Sequence, residues 1–313
     1  MKHPEQKTIL VTGGAGFIGS HLVRRLLGDG YSVAVLTRET TDMRRLEDVL
    51  QRLTVIRDDM SNMPRLKTKL ADLKPYGVFH CAASNIKSGV AASEDELIAA
   101  NVAGTAHLVN TLAGVDYKFF VNSGSYLEYG TKSEPFKESD RCEPLEIYAL
   151  TKLAATLYCQ SVARSAGKPI VTFRIFSPYG PEMEEGRLVY EVVRRARENR
   201  EIKLTNPETN RDFIHIDDIV DLYVEAMSKA DALKGEIFNL GGGKAVTLKD
   251  FVGRALRLTG SKSPVRWGGA KVAPYDRGCQ EADMKKTLSA FKWRPRRDID
   301  VGIKSMDEWF ALR

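Results

Sequence analysis

Near its N-terminus the chain reads TILVTGGAGFIG, from Thr8 to Gly19, a short apolar run that leads into glycines spaced three residues apart. Apolar residues recur at helical spacing over 22–27, so an amphipathic helix is predicted to follow at once. Gly13 permits a tight turn, Gly16 lets backbone amides approach an anion, and Gly19 lets the helix pack closely on the strand. The N-terminus of that helix presents free N–H groups and the positive end of its dipole. The stretch therefore predicts a binding site for the diphosphate of a nucleotide cofactor.

The composition is that of a globular chain with a modest positive charge: 313 residues, 43% of them hydrophobic, and a formal net charge of +6. No stretch approaches the ~20 consecutive apolar residues of a membrane span, and the polar N-terminus predicts no signal peptide. The four cysteines are widely separated and lack metal-ligand spacing, so we expect reduced thiols, no metal site and a cytoplasmic location. The basic runs at 194–197 and 294–297 fit a solvated helix face and a polar turn. This disfavours nucleic acid, and the charge suits an anionic small substrate.

Strand-like and helical stretches alternate along the first part of the chain. Short, mostly apolar runs lie at residues 32–37, 54–57, 77–83, 118–123 and 170–175. Helical patterns separate them, for example over 94–113 and 148–166. Short apolar strands joined by helices predict an α/β fold, with a doubly wound parallel sheet of the Rossmann type covered on both faces. Ligands are then expected at the carboxyl ends of the strands.

The regular alternation of strands and helices ends at residues 178–181, and the predicted elements after them are irregular. We predict a first domain over residues 1–176 and a smaller C-terminal α/β lobe over 177–210 and 229–313. The strand-then-helix pattern at 211–228 is predicted to return to the main sheet.

A phenol and an ammonium group lie four residues apart at Tyr148 and Lys152, where the last long helix before the final core strand begins. Residues four apart share one helix face. A lysine there favours the phenolate and lowers the pKa of the tyrosine, which makes the phenol a general acid and base near neutrality. Ser125 follows a strand and lies at its carboxyl end, where it can share a substrate oxygen with Tyr148. We interpret Ser125, Tyr148 and Lys152 as the catalytic residues.

Ordered motifs along almost the whole chain make it resemble the extended short-chain dehydrogenases/reductases, the group of nucleotide-sugar epimerases, 4,6-dehydratases and 4-ketoreductases. Besides 12–19, 123–130 and 148–152, the motifs are DM (59–60), FHCAA (79–83), NVAGT (101–105), YGP (179–181), RDFIHIDD (211–218) and NLGGG (239–243). The resemblance implies a dinucleotide-binding first domain and a C-terminal lobe that binds a nucleotide sugar. It also implies a homodimer built on the helices that begin near Glu94 and Tyr148, with Val102, Leu108, Val109, Leu153 and Leu157 as candidate contacts.

The same resemblance assigns roles to individual residues. The cofactor would be bound by Gly13, Gly16, Phe17, Ile18, Gly19, Thr37, Arg38, Asp59, Met60, Ala82, Ala83, Asn101 and Lys152. The nucleotide sugar would be bound by Ser84, Ser125, Tyr126, Ser177, Arg211 and Arg277. Two positions depart from the group's pattern. Ser177 replaces a frequent asparagine, and Arg277-Gly278-Cys279-Gln280 breaks the usual Arg-x-Gly-Asp motif.

The end of the second predicted strand distinguishes the two dinucleotides. Relatives that use NAD usually carry an aspartate there, which accepts hydrogen bonds from the adenosine ribose. Here the strand ends in Thr37 and Arg38, and the first carboxylate is that of Glu39. Because the planar guanidinium of Arg38 suits a 2′-phosphate, we predict NADP, with NAD as the alternative.

The residues after Ser125 distinguish the reactions of the group. The dehydratases carry acidic residues directly after the catalytic Ser/Thr, whereas this chain has Tyr126 and Leu127, with Glu128 one position further. Elimination is therefore disfavoured. NADPH-dependent 4-ketoreduction of an NDP-4-keto-6-deoxyhexose is predicted, since Arg38 favours it and the run 269–276 loosely resembles bacterial deoxysugar 4-ketoreductases.

Two other functions stay open. The first is a nucleotide-sugar 4-epimerase, resembling the UDP-glucose 4-epimerases, with tightly bound NAD. The second is a redox-sensing regulator without activity, but such proteins typically lose the tyrosine–lysine pair that is present here.

Overall fold

A computed structural model describes residues 7–60, 63–84, 92–269 and 278–313. The chain divides into two compact units. The first unit comprises Met1–Ser125, Glu146–Arg174 and Val220–Phe238, and the second comprises Tyr126–Leu145, Ile175–Ile219 and Asn239–Arg313.

The first unit is built on a parallel sheet. Its strands are β1 (Thr8–Thr12), β2 (Ser32–Thr37), β3 (Leu53–Arg57), β4 (Gly77–His80), β5 (Phe120–Ser125), β6 (Ile170–Ile175) and β10 (Ile237–Leu240). These seven, counted within the described residues, are ordered β10-β6-β5-β4-β1-β2-β3. The strands β4, β5 and β6 are buried along their whole length, as expected for a sheet covered on both faces. The register pairs Thr12 with His80 and His80 with Asn122, so the carboxyl ends of β1, β4 and β5 lie side by side.

The strands of the first unit are connected by helices. These are α1 (Phe17–Gly28), a 3₁₀ helix (Arg44–Arg52), α2 (Met63–Leu73), α3 (Glu94–Leu97), a π-helical segment (Ile98–Ala103), α4 (Gly104–Thr111) and α5 (Ile147–Ala166). α3 starts at a capping box, in which Ser93 and Glu96 satisfy each other's backbone N–H groups. α5 ends at Gly167, whose φ of +65° closes the helix in the left-handed conformation. The core includes Leu66, Leu70, Leu108, Leu112 and Cys159.

The second unit contains two small sheets and a group of helices. Its strands are β7 (Ser177–Tyr179), β8 (Ile202–Lys203), β9 (Asn210–His215), β11 (Ala245–Thr247) and β12 (Val265–Arg266). β9 pairs with β7 in parallel and with β11 in antiparallel orientation, and β8 pairs with β12. Its helices are a 3₁₀ turn (Tyr126–Tyr129), α6 (Leu188–Arg197), α8 (Leu248–Thr259), α9 (Lys285–Ala290) and α10 (Ile299–Ala311), while α7 (Ile216–Ala226) starts in the second unit and ends in the first.

The α/β class and the parallel sheet predicted from the sequence are confirmed. The strand at 210–215, however, lies in the sheet of the second unit, and β10 supplies the strand that joins the main sheet. The reason is local: the buried carboxylate of Asp212 accepts the N–H groups of Gly242, at 2.6 Å, and Gly243, at 3.1 Å, which ties β9 to the loop before β11. No helix among the described residues combines the length and the apolar character that a membrane crossing requires.

Candidate functional site

The glycine loop connects β1 to α1 and has no room for a Cβ at Gly13 or Gly19. Gly13 has φ +67°, and a Cβ there would lie 2.6 Å from the backbone nitrogen of Ala82. A Cβ on Gly19 would overlap the carbonyl oxygen of Gly13. Gly16 caps α1 without any side-chain hydrogen bond, and the first turn of α1, which includes Phe17 and Ile18, has no acidic residue. This closely packed loop leads into the N-terminus of a 12-residue helix, which is the positive end of its dipole. The two together fit the diphosphate of a dinucleotide.

Polar side chains from three elements form buried hydrogen bonds at the carboxyl end of the sheet. Thr12 Oγ1 lies 2.7 Å from His80 Nδ1, and His80 Nε2 lies 2.8 Å from Thr105 Oγ1. The Thr105 hydroxyl donates to the carbonyl oxygen of Asn101 at 2.7 Å. The N–H of Ala82 donates to Thr12 Oγ1 at 3.3 Å, so the loop after β4 is held by the same hydroxyl. The sequence motifs did not assign a role to His80 or Thr105.

Asn101 extends this hydrogen-bonded set toward α5. Its Oδ1 accepts the N–H of Ser84 at 2.8 Å, and its Nδ2 donates to the carbonyl of Ser84 and to Thr151 Oγ1, each at 3.0 Å. The Thr151 hydroxyl donates to the carbonyl of Tyr148 at 2.8 Å. Asn101 lies in the π-helical segment, a distortion that is frequent at functional sites. The structure thus uses the side chain of Asn101, predicted to bind the cofactor, to hold Ser84 and the first turn of α5.

Burial and a neighbouring charge keep His80 neutral. His80 is 1% exposed, and desolvation together with the positive charge of Lys152 lowers its pKa to about 3. Burial raises the pKa of the Cys81 thiol to about 11, although a hydrogen bond from Ser123 and the charge of Lys152 act in the opposite direction.

The three predicted catalytic residues lie in the first unit, Ser125 at the carboxyl end of β5 and Tyr148 and Lys152 at the start of α5, a helix that contacts β5. Ser125 is the last residue of β5 and is buried. Tyr148 is the second residue of α5 and is half-buried, and Lys152 follows one turn later and is 5% exposed. A hydroxyl, a phenol and a buried ammonium group at the carboxyl end of a parallel sheet can move a proton to and from a substrate oxygen.

The residues predicted to select the cofactor lie at the end of β2. Thr37 is buried, whereas Arg38 and Glu39 are exposed. The carboxylate of Glu39 lies 3.9 Å from Arg57 Nε, so the first acidic group after β2 is already paired with a cation. Within the described ranges, the guanidinium of Arg38 makes no hydrogen bond or ion pair. Asp59 is exposed and Met60 is half-buried, while Ala82 and Ala83 lie in the loop after β4.

Three of the predicted substrate residues lie in the second unit. Tyr126 stacks on Phe176 with ring centroids 5.2 Å apart, and its hydroxyl donates to the buried side chain of Gln280 at 3.1 Å. Ser177 is half-buried in β7, and Arg211 is 9% exposed in β9. Arg277 lies outside the described residues.

The chain is similar to known proteins along almost its whole length. A model of the NAD-dependent epimerase/dehydratase family matches residues 9–241. UDP-glucose 4-epimerase 2 of Arabidopsis thaliana is 28% identical over 97% of this chain and 95% of its own. CDP-abequose synthase of Salmonella muenchen is 23% identical over 96% of this chain and 97% of its own. The crystal structure of UDP-glucuronic acid 4-epimerase from Bacillus cereus, in complex with UDP-glucuronic acid and NAD, is 25% identical with a TM-score of 0.86, and the match covers 97% of this chain and 99% of that one. The predicted Rossmann-type fold is confirmed.

Proposed function

Because the chain belongs to the NAD-dependent epimerase/dehydratase family, we propose that it inverts the configuration at C4 of a nucleotide-activated hexose. The observation that carries the proposal is that Ser125, at the carboxyl end of β5, and Tyr148 and Lys152, at the start of α5, belong to the unit that also contains the glycine loop. The relatives named as UDP-sugar 4-epimerases support it, since they align with this chain from end to end.

The residues of the chain have distinct tasks in such a reaction. The nicotinamide ring supplies a hydride acceptor, which becomes the hydride donor in the second half-reaction. Tyr148 accepts the proton of the C4 hydroxyl as the C4 hydride leaves, and it returns that proton to the oxygen when the hydride comes back on the opposite face of the sugar. Ser125 donates a hydrogen bond to the same oxygen, which stabilises the developing carbonyl. The ammonium group of Lys152 stabilises the phenolate form of Tyr148 between the two steps.

The alternative elimination of water lacks an acid in the required position. Tyr126 and Leu127 follow Ser125, and the side chain of Glu128 is fully buried in the 3₁₀ turn after β5. This supports a reaction confined to C4.

The test is a pair of measurements on the purified protein. An absorbance scan should show dinucleotide that remains bound through purification. Incubation with UDP-glucose or UDP-glucuronic acid should then give the C4 epimer, detected by the proton coupling constants at C4 in NMR, with no added reductant. Net consumption of NADPH without epimer formation would contradict the proposal.

The exposed guanidinium of Arg38 favours a second candidate function, NADPH-dependent 4-ketoreduction of an NDP-4-keto-6-deoxyhexose. It offers a partner to a 2′-phosphate, while Glu39, the nearest acidic residue, is paired with Arg57. The similarity to CDP-abequose synthase supports this candidate too. In that case the protein oxidises NADPH stoichiometrically, which a decrease in absorbance at the nicotinamide band would reveal.

Replacing Arg38 by alanine is expected to weaken NADP binding by about tenfold or more while leaving NAD affinity nearly unchanged. The reason is that a charge-assisted hydrogen bond to the 2′-phosphate, which NAD lacks, would be lost. Fluorescence titration with each dinucleotide measures the difference. Lys67→Ala, which removes another exposed positive charge of the first unit, serves as the control. An equal loss of affinity for both dinucleotides would refute a role in selection.

We also propose that two copies of the chain associate through the outer face of α5. Leu150 is 49% exposed and Leu157 is 50% exposed, and a spacing of seven residues puts them on one helix face. Leu108 and Val109, two of the candidate contacts inferred from the sequence, are instead fully buried in the first unit. Leu157 therefore stays a predicted contact and Leu150 is added to it, because an apolar face of this kind is stabilised by a second copy.

Leu157→Glu is expected to shift the protein from dimer to monomer, since it places a carboxylate in the centre of that face. Light scattering coupled to gel filtration measures the mass. Leu312→Glu is the matched control, because Leu312 is 87% exposed near the C-terminus and lies outside the face. A wild-type protein that is monomeric at micromolar concentration would remove the basis for this prediction.

A further inference from the structure

One assignment of donors satisfies all the hydrogen bonds around His80. The Thr105 hydroxyl has a single proton and donates it to the carbonyl of Asn101. In this assignment its oxygen accepts the proton of His80 Nε2, 2.8 Å away. His80 Nδ1 is then the unprotonated nitrogen, and it accepts the hydroxyl proton of Thr12 at 2.7 Å. The Nε2–H tautomer of neutral His80 thus leaves no donor or acceptor of the ring without a partner.

The two ends of this directed chain reach functionally different segments. On one side, the oxygen of Thr12 accepts the N–H of Ala82, in the loop after β4. On the other side, Asn101 belongs to the π-helical segment and holds Thr151, whose hydroxyl bonds to the carbonyl of Tyr148. Both segments meet again at Ser84, whose backbone N–H and C=O are both bound by Asn101.

We infer that His80 is a positioning residue, which as the neutral Nε2–H tautomer fixes the loop after β4 and the first turn of α5 relative to each other. The loop contains Ala82 and Ala83, and the first turn of α5 contains Tyr148. The kinetic part of this inference rests on the proposed C4 chemistry, because it assumes that Tyr148 must be held in place to exchange a proton with the sugar.

Because these groups are buried, removing a hydrogen bond of His80 is expected to displace its neighbours. Thr12 is 0% exposed, His80 is 1% exposed, and Asn101, Thr105 and Thr151 are each 2% exposed. Water cannot reach such positions to replace a missing hydrogen-bond partner. A broken bond therefore leaves an unpaired buried polar group, and the segments around it shift to find a new partner. Burial, together with the charge of Lys152, lowers the pKa of His80 and so favours the neutral ring that this set of hydrogen bonds requires.

Three substitutions separate the packing of the ring from its two hydrogen bonds. His80→Phe keeps an aromatic ring, which matters because the ring of His80 lies 6.0 Å from that of Phe120, but it loses both bonds. His80→Asn places an acceptor near the position of Nδ1 and retains the bond with Thr12. His80→Gln places a donor near the position of Nε2 and retains the bond with Thr105.

The first readout needs no substrate. Hydrogen exchange followed by mass spectrometry, on the full-length protein, should show His80→Phe and His80→Asn speeding exchange over residues 98–105 and 147–152 by about tenfold. His80→Gln should remain close to wild type there, and residues 239–243 of the second unit should be unaffected in all variants. Unchanged exchange over 98–105 and 147–152 in His80→Phe would overturn the inference.

The second readout is kinetic. His80→Phe should lower kcat by between about 10- and 100-fold, since small misplacements of a reacting group cost this much, while KM changes by less than about threefold. His80→Gln should retain a higher kcat than His80→Asn, because it keeps the hydrogen bond with Thr105. Thr105 is bonded to Asn101, which in turn holds the first turn of α5 that contains Tyr148. Thr105→Val should reproduce the loss, and the double variant His80→Phe/Thr105→Val should be no slower than either single variant.

Additive losses, or a fall in kcat matched by loss of folded protein in thermal melts, would refute the positioning role. If the wild-type protein converts no nucleotide sugar, the proposed function fails, while the exchange experiment still decides whether His80 holds the two segments together.

Discussion

Tyr148→Phe is expected to lower turnover of the nucleotide sugar by about 10²- to 10⁴-fold while dinucleotide binding stays at the wild-type level. The substitution removes one hydroxyl and leaves the ring, so α5 and the hydrogen bond from Thr151 to the carbonyl of residue 148 are retained. The proton of the sugar hydroxyl then has no acceptor, and hydride transfer from C4 would leave a protonated carbonyl. Steady-state rates combined with dinucleotide titration measure both quantities.

A matched control for this variant is present in the same helix. Tyr158 lies in α5, and its hydroxyl donates to Asn110 Oδ1 at 2.7 Å on the outside of the molecule. Tyr158→Phe removes an identical group and should leave turnover within about twofold of wild type, since surface substitutions have small effects. Turnover of Tyr148→Phe within about threefold of wild type would show that another group exchanges the proton.

Gly19→Ala is expected to weaken dinucleotide binding by tenfold or more and to lower the free energy of unfolding by roughly 1–3 kcal/mol. The added methyl group would overlap the carbonyl oxygen of Gly13, which is backbone and cannot rotate away. Either the loop or the N-terminus of α1 must move, and both supply the N–H groups that would contact the diphosphate. Urea unfolding and fluorescence titration measure the two effects.

Gly28 gives the opposite expectation within the same helix. It is the last residue of α1, and a Cβ there has nothing within 4 Å. Gly28→Ala should therefore stabilise the protein by about 0.5–1 kcal/mol, because alanine loses less conformational freedom than glycine, and should leave dinucleotide affinity unchanged. Wild-type affinity in Gly19→Ala would mean that the loop adapts and that its close packing is not what binds the cofactor.

Local patterns sufficed for the class of fold and for the elements of the site. The alternation of short apolar strands with helices predicted the parallel sheet, because strands buried on both faces are mostly apolar. The spacing of Tyr148 and Lys152 predicted a shared helix face, since a helix repeats every 3.6 residues whatever surrounds it. The prediction that the strand at 210–215 joins the main sheet was wrong, because a strand pattern in the sequence does not identify the neighbouring strand.

The sequence by itself determined the glycine loop and the strand–helix alternation, and it predicted the shared helix face of Tyr148 and Lys152, because these depend on neighbours a few residues away. Only the tertiary structure decided that Glu39 is paired with Arg57, that Leu108 is buried while Leu157 is exposed, and that Asn101 holds Ser84 and Thr151. It also decided the role of His80, whose partners Thr12 and Thr105 are 68 and 25 residues away along the chain. A buried hydrogen bond depends on which groups the fold brings within about 3 Å, and no local spacing encodes that distance.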